Sequence, residues 1–267
     1  KQSGGTLTLM SPLTYTGSTT VGGGTLQLYH SASLASTSIA VTYNSALSVD
    51  NSGTVNNNDR IPDAATVTLA GGTLTYQGQP GGTSTETFAT LALATGHDVV
   101  NVNNGTNGLA ILSVGNLTRA AGATVYFNAI GQPGVGQTFG QFLMGALNGV
   151  APTDGQVLPP WLVYNATDYA VYRMNSNPTL PAGIVPFGVS GGPAYVTQYL
   201  PGLNTALTAG VLTSGAIANF QGLAASSVTL APGVNVVGRL KVTGRLAVDV
   251  NFQNPTDVLQ LEQGGLL

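Results

Sequence analysis

A short phrase of small polar residues alternating with leucine, introduced by two glycines, returns along the first third of the chain. Gly4-Gly5-Thr6-Leu7-Thr8-Leu9 recurs as Gly23-Gly24-Thr25-Leu26-Gln27-Leu28 and as Gly71-Gly72-Thr73-Leu74-Thr75-Tyr76, and in worn form as Thr90-Leu91-Ala92-Leu93. Glycine lets the backbone turn through conformations closed to other residues, and period-2 alternation predicts a strand with one buried and one wet face. Leu47 and Val49 keep the same phase. The inward positions then lie 19 residues apart from Leu7 to Leu26 and 21 apart from Leu26 to Leu47. Such a strand has nothing to bury its leucines against when alone, whereas a stack of them shares one core. About 20 residues per turn is the length of a parallel β-helix coil. The pattern therefore predicts an all-β solenoid, with Leu over Leu inside and Thr over Thr outside.

The linking phrases narrow the reading. Leu13-Thr14-Tyr15-Thr16-Gly17-Ser18-Thr19-Thr20-Val21, followed by Gly23-Gly24-Thr25-Leu26-Gln27-Leu28, resembles the passenger repeat of bacterial autotransporters and of related giant bacterial surface repeat proteins. That repeat runs as a Tyr-Thr-Gly turn, a Thr-Thr-Val strand and a Gly-Thr-Leu strand. Thr85 to Leu91 and Gly115 to Val125 resemble later coils of the same proteins, so the resemblance covers residues 1 to about 128. It implies a right-handed parallel β-helix exported to the cell exterior, and it marks no active site.

Composition changes along the chain divide it into three expected parts. Residues 1–130 read as β-helix repeat coils. Residues 131–193 read as a Pro-rich irregular excursion with short strands, because Pro133, Pro152, Pro159, Pro160, Pro178, Pro181, Pro186 and Pro193 fall there and proline cannot donate into a central ladder. Within it, Trp161 to Tyr172 predicts two short strands round an Asn/Asp turn. Residues 194–267 read as further β-strand coils. Residues 50–63, rich in Asn and Asp, read as a wide loop between coils. An oxygen-lined calcium site is its alternative, although the loop lacks the ligand spacing of a dedicated one. From Gly238 to Val250, alternation puts Leu240, Val242, Leu246, Val248 and Val250 on one face and Arg239, Lys241, Arg245 and Asp249 on the other. That charged face reads either as a solvated guard against edge pairing or as an interface to a neighbouring subunit or coil.

Charge and chemistry narrow the function. Only 6% of residues are charged and the net charge is -3, which gives no electrostatic reason to bind nucleic acid or acidic lipid. There is no cysteine for a disulfide or thiolate site, and no apolar run of 18 residues to span a bilayer as a helix. Lys1 opens the chain inside a repeat, as expected of a processed chain or a piece of a longer one. The ten acidic residues are spread from Asp50 to Glu262. Neither Asp59 with Asp63 nor Asp249 with Asp257 reads as a catalytic pair. His30 and His97 are the only histidines, and Gly96-His97-Asp98 reads as a solvated turn. The expectation is therefore no catalytic residue, no cofactor and no metal. The expected function is a non-catalytic structural or adhesive module of a secreted or surface-displayed bacterial repeat protein, forming a rigid stalk, sheath or fibre. Its expected partners are flanking repeats or further copies associating through the solenoid ends. The alternative is a carbohydrate-binding or carbohydrate-cleaving β-helix in which Trp161 and Tyr164 contact a surface polysaccharide.

Overall fold

The computed structural model describes residues 4–130, 140–174, 182–187, 196–200, 205–206, 216–222, 226–244 and 248–267. Among them every regular element is a β-strand, and parallel sheets stack as a β-solenoid of about 6 turns. The chain divides into two compact units, Lys1–Ala166 with Ala170–Pro186, and Thr167–Tyr169 with Phe187–Leu267.

The first unit is built from strands that alternate between two sheets. They are β1 (Thr6–Leu9), β2 (Thr19–Val21), β3 (Gly24–Leu28), β4 (Ser38–Thr42), β5 (Ser45–Asp50), β6 (Thr66–Ala70), β7 (Thr73–Gln77), β8 (Thr83–Thr95), β9 (His97–Asn103), β10 (Leu109–Arg119), β11 (Thr124–Ile130) and β12 (Gln141–Leu147). Odd-numbered strands pair in parallel in one sheet and even-numbered strands in the other, so each coil contributes one strand to each. The predicted leucine register holds: Leu7, Leu26, Leu47, Leu74, Val100 and Phe127 stand in one inward column. Beside it run Leu9, Leu28, Val49, Tyr76 and Val102. The second sheet answers with Ile39, Val67, Leu91, Leu117 and Leu147. Leu47, Leu74, Val67 and Leu91 have no exposed surface, whereas Leu7, with a neighbour on one side only, is 44% exposed. Thr90-Leu91-Ala92-Leu93 is not a fourth copy of the opening phrase. It lies on β8 in the second sheet, over Val67 and Leu69.

Coil length changes partway. After intervals of 19 and 21, the column advances by 27 from Leu47 to Leu74, 26 from Leu74 to Val100 and 27 from Val100 to Phe127. The added residues build a third side. On β8, Ser84, Glu86 and Phe88 point inward, Ala89 and Thr90 both point outward, and Leu91 and Leu93 point inward again. Two outward residues in succession make a corner. The same break recurs at Gly115 on β10 and Gly145 on β12, stacked directly above Ala89. A side chain at Gly115 would meet the Ala89 carbonyl oxygen at 2.7 Å, and one at Gly145 the Gly115 oxygen at 2.8 Å. The corner thus needs glycine because the backbones touch.

Beyond β12 the first unit turns antiparallel. β13 (Gln156–Val157), β14 (Leu162–Tyr164), β15 (Asp168–Arg173) and β16 (Gly183–Pro186) follow, with β14 continuing the parallel column over β11 and β15 pairing antiparallel with β13 and β16. This is the predicted pair of strands round an Asn/Asp turn, Asn165 and Ala166 both taking positive φ. The second unit holds β17 (Val196–Leu200), β18 (Thr205–Ala206), β19 (Ile217–Gly222), β20 (Ser226–Thr229), β21 (Val234–Gly244), β22 (Val248–Asn251) and β23 (Val258–Leu266). It repeats the alternation in two parallel sheets, β17-β19-β21-β23 and β18-β20-β22, around Ala218, Phe220, Val228, Leu230, Val237 and Leu240.

The column sets a stability test. Truncating Leu47 to Ala is expected to cost about 2–5 kcal/mol, and Leu26→Asp more, because a charge would enter a dry stack. Thr25→Ser on the outer face is expected to stay within about 0.5 kcal/mol of the parent. Denaturant melts of the three variants check this, and equal stability of Leu26→Asp and the parent would refute the register.

Candidate functional site

The most concentrated chemistry of the first unit lies where the third side begins. The inner half of β8 has β10 as its neighbour on one edge, but on the other edge the preceding coil offers the loop between β5 and β6. That loop substitutes side chains for a strand. Asn56 Nδ2 donates to the Thr83 carbonyl at 2.8 Å, and Thr85 N–H donates to Asn58 Oδ1 at 2.9 Å. Glu86, inward on β8 and 1% exposed, accepts the Ile61 N–H at 2.9 Å on one carboxylate oxygen and the Arg60 N–H at 3.1 Å on the other. The Arg60 side chain, with no exposed surface, reaches the opposite way along the axis. Its Nη1 donates to the Ala32 carbonyl (2.8 Å), Nη2 to the His30 carbonyl (2.7 Å) and Nε to Asn51 Oδ1 (2.9 Å). One loop thereby ties the turn after β3 to the start of β8.

Burial dominates the electrostatics. Desolvation pushes the Glu86 carboxyl up to about 7, against the two backbone N–H bonds and the Arg60 charge that lower it. Desolvation also lowers the Arg60 guanidinium, and the charge on Glu86 works against that. Tyr76, above Val49 in the inward column, has its phenol raised chiefly by desolvation, against the Asn51 and Ser84 side chains beside its hydroxyl. This is a charged strut. Both charged side chains are withdrawn from solvent.

The other carboxylates are occupied in similar fashion. Asp98 is buried and its Oδ1 accepts the Gly71 and Gly72 N–H groups at 2.8 and 3.1 Å. His97 points the opposite way, exposed, hydrogen-bonded with Thr124 at 2.9 Å and edge-on to the Tyr126 ring at 4.1 Å. The two neighbours in sequence thus stand on opposite faces of β9. His30 lies in a turn at φ 56° and serves Arg60 through its carbonyl. Asp59 and Asp63 are exposed in and after the strut loop, and Asp50 accepts from Ser52 N–H and Gln27 Nε2. Asp257 accepts main-chain N–H groups of Gly233, Gln253 and Asn254, which hold its carboxyl below the usual range. Among the described residues no group of three or more His, Cys, Asp or Glu side chains gathers to hold a metal ion.

The charged quartet of the last segment is not one strand face. β21 ends at Gly244 and β22 starts at Val248, and the two belong to different sheets. Arg239 is 4% exposed, with its guanidinium carbon 5.3 Å from the Tyr169 ring centre, while Leu240 and Val242 belong to the core of the second unit. Lys241 pairs with Asp168 at 3.1 Å, and the Tyr169 hydroxyl donates to the Leu240 carbonyl at 2.8 Å. Asp249 is exposed on β22, and Arg245 lies outside the described residues. Tyr164 is 5% exposed above Phe127, its phenol pushed up to about 12 by desolvation, and it offers no ring face to solvent. Trp161 is half-buried against the main core, with the Arg119 guanidinium carbon 5.0 Å from its ring centre.

Arg60 and Glu86 stand outside every pairing that spacing suggested. A signal for Glu86 was present: it falls on the inward phase of Ser84-Thr85-Glu86-Thr87-Phe88, where a carboxylate must find buried donors. No protein-family model matches the chain, and neither a curated protein nor a solved structure matches it.

The strut makes two measurable claims. Folding holds the Glu86 carboxyl near 7 against an ordinary 4.5, so the folded chain binds a proton that the unfolded chain releases. The resulting stability is complete below about pH 4.5 and is lost as pH rises towards 7, by at most about 3 kcal/mol. Denaturant melts across that window are expected to show this decline, and Glu86→Gln to flatten it. Arg60→Ala leaves the Ala32 and His30 carbonyls without their side-chain donor and takes one of two donors from Asn51 Oδ1, and is expected to cost about 3–5 kcal/mol in the same melts.

Proposed function

We propose that this chain is a non-catalytic structural or adhesive module, displayed outside a bacterial cell as part of a stalk, sheath or fibre. The observation that carries the reading is the use of the acidic side chains. Asp50, Glu86, Asp98, Asp154 and Asp257 each accept main-chain N–H bonds, and Asp168 holds Lys241. Six of ten acidic residues are thus engaged in fixing turns and strands, which is the work of a scaffold. An acid or base for polysaccharide cleavage has to face substrate with a free oxygen. Rigidity along the axis comes from parallel ladders repeated coil on coil, a quasi-one-dimensional arrangement suited to extension and display.

The passenger-type reading draws on the Tyr-Thr-Gly, Thr-Thr-Val and Gly-Thr-Leu phrases, and it carries the export route and the location at the cell surface. Partners in this reading are flanking repeats or further copies of the chain. Incubation of the chain with a panel of plant and bacterial polysaccharides is expected to release no new reducing ends. Turnover abolished by a single carboxylate substitution would overturn the proposal.

A further inference from the structure

The loop between β5 and β6 is closed on itself. Asn51 Nδ2 donates to the Asn57 carbonyl at 3.0 Å, the Asn57 N–H donates to Asn51 Oδ1 at 3.1 Å, and the Asp59 N–H donates to Asn57 Oδ1 at 3.1 Å. Residues 52–59 thus form a small lobe with hydrogen bonds of its own, on which Ser52, Thr54, Asn58 and Asp59 are exposed. The lobe meets β8 through side chains. Asn56 and Asn58 reach the main chain of Thr83 and Thr85, and Ser84 Oγ donates to Asn56 Oδ1 at 2.7 Å. Parallel strands are joined by evenly spaced main-chain bonds, whereas these few side-chain bonds can let go without breaking a strand ladder.

Glu86 is the tie that carries charge. Its two oxygens hold the consecutive Arg60 and Ile61 N–H groups at the root of the lobe. From the loop it is faced by Arg60, which favours its ionisation, and by Asp59, which opposes it. From β7 it is faced by Tyr76, whose phenol is raised further by the Glu86 charge. On β10 its register partner is Leu112, buried and apolar. Asp50 acts on Arg60. The Arg60 guanidinium is engaged by Asn51 and by the Ala32 and His30 carbonyls, so the carboxylate's direct partners are two neutral N–H groups in a site withdrawn from water. In such a site the charged form is held less well than the neutral one.

We propose that the lobe is a pH-operated clasp, which detaches locally from β8 when Glu86 ionises and reseats when Glu86 is protonated. In the detached state the carboxyl reaches water and titrates at its ordinary value, so ionisation draws molecules from the closed state to the open one. Closure is favoured in full below about pH 4.5 and weakens as pH rises towards 7. Detachment bares the Thr83–Glu86 edge of β8 and loosens the joint between short and long coils, while the leucine columns keep their ladders. Asp98, also fully buried, marks the contrast. It lies on β9, paired with β7 and β11 on its two edges, and has no lobe to release.

The test is hydrogen–deuterium exchange of the whole chain at pH 5, 6, 7 and 8, read by mass spectrometry and corrected for intrinsic exchange rates. Peptides covering residues 51–61 and 83–88 are expected to lose protection by about fifty- to hundredfold between pH 5 and pH 8, the factor set by a rise from 4.5 to about 7. Peptides covering β3, β4 and β6 are expected to hold theirs. Glu86→Gln is expected to remove the pH dependence. Asp59→Asn, an exposed change that leaves the fold intact, is expected to move the midpoint of the loss to lower pH. Loop protection that is flat across pH in the parent, a loss spread evenly over the first unit, or an unaltered dependence in Glu86→Gln would each overturn the proposal.

Discussion

In a stack of parallel coils, what one coil buries is decided by the coils on either side of it. The backbone ladder locks the register, and the register decides that Leu26 stands between Leu7 and Leu47. A slip of one residue would turn every leucine of a coil outward, so a single choice of phase fixes both the core and the surface. The rest of the first unit depends on keeping that phase while coil length changes from about 20 to about 27 residues. A coil cannot lengthen without leaving part of the next strand unpaired on one edge. The strut of Asn56, Asn58, Arg60 and Glu86 meets that need by presenting donors and acceptors at the heights where a missing strand would have placed its own.

This explains why an ion-bearing cluster survives in a hydrophobic core. Replacing Arg60 and Glu86 by apolar residues would remove the desolvation cost but leave the Ala32 and His30 carbonyls and the Arg60 and Ile61 N–H groups with no partner. Those are main-chain groups, which an apolar side chain other than proline leaves in place. A buried charge pair is weak evidence of stability in general. Here each charge is bound to main chain on a neighbouring coil, and its role is to join two coil geometries.

Much of this was legible in the amino-acid order, and the limits are physical. The Leu7–Leu26–Leu47 column was readable because alternation and glycine spacing are local and repeat. The wide Asn/Asp loop and the two strands round Asn165 were readable from turn chemistry. Arg60 was not, because its partners lie about 30 residues back and Glu86 lies 26 ahead, and only the coil register brings them together. The charged run Arg239 to Asp249 misled for a related reason. Strict alternation carried through it places four charges on one face, but the strand ends at Gly244 and Val248–Asn251 belongs to another sheet, which resets the phase. Period-2 reasoning fails at such resets. Gly244 marks this one, and Gly115 and Gly145 mark the corner of the third side.

The same resets give the surface its variety. A perfectly periodic solenoid would present uniform columns, Thr over Thr, with no position distinguished from the next. That uniformity is broken on the odd-numbered sheet, where the outer column passes from Thr25 and Ala46 to Thr73, Val99 and Tyr126. The corner residues also change, from Asn44 through Gly71 to His97 and Thr124. Those changes are carried by outward positions, which leave the inward leucines undisturbed. Core and surface in this architecture thus vary almost independently. Length is absorbed at the buried strut and identity changes at outward positions, and neither disturbs the inward leucine column.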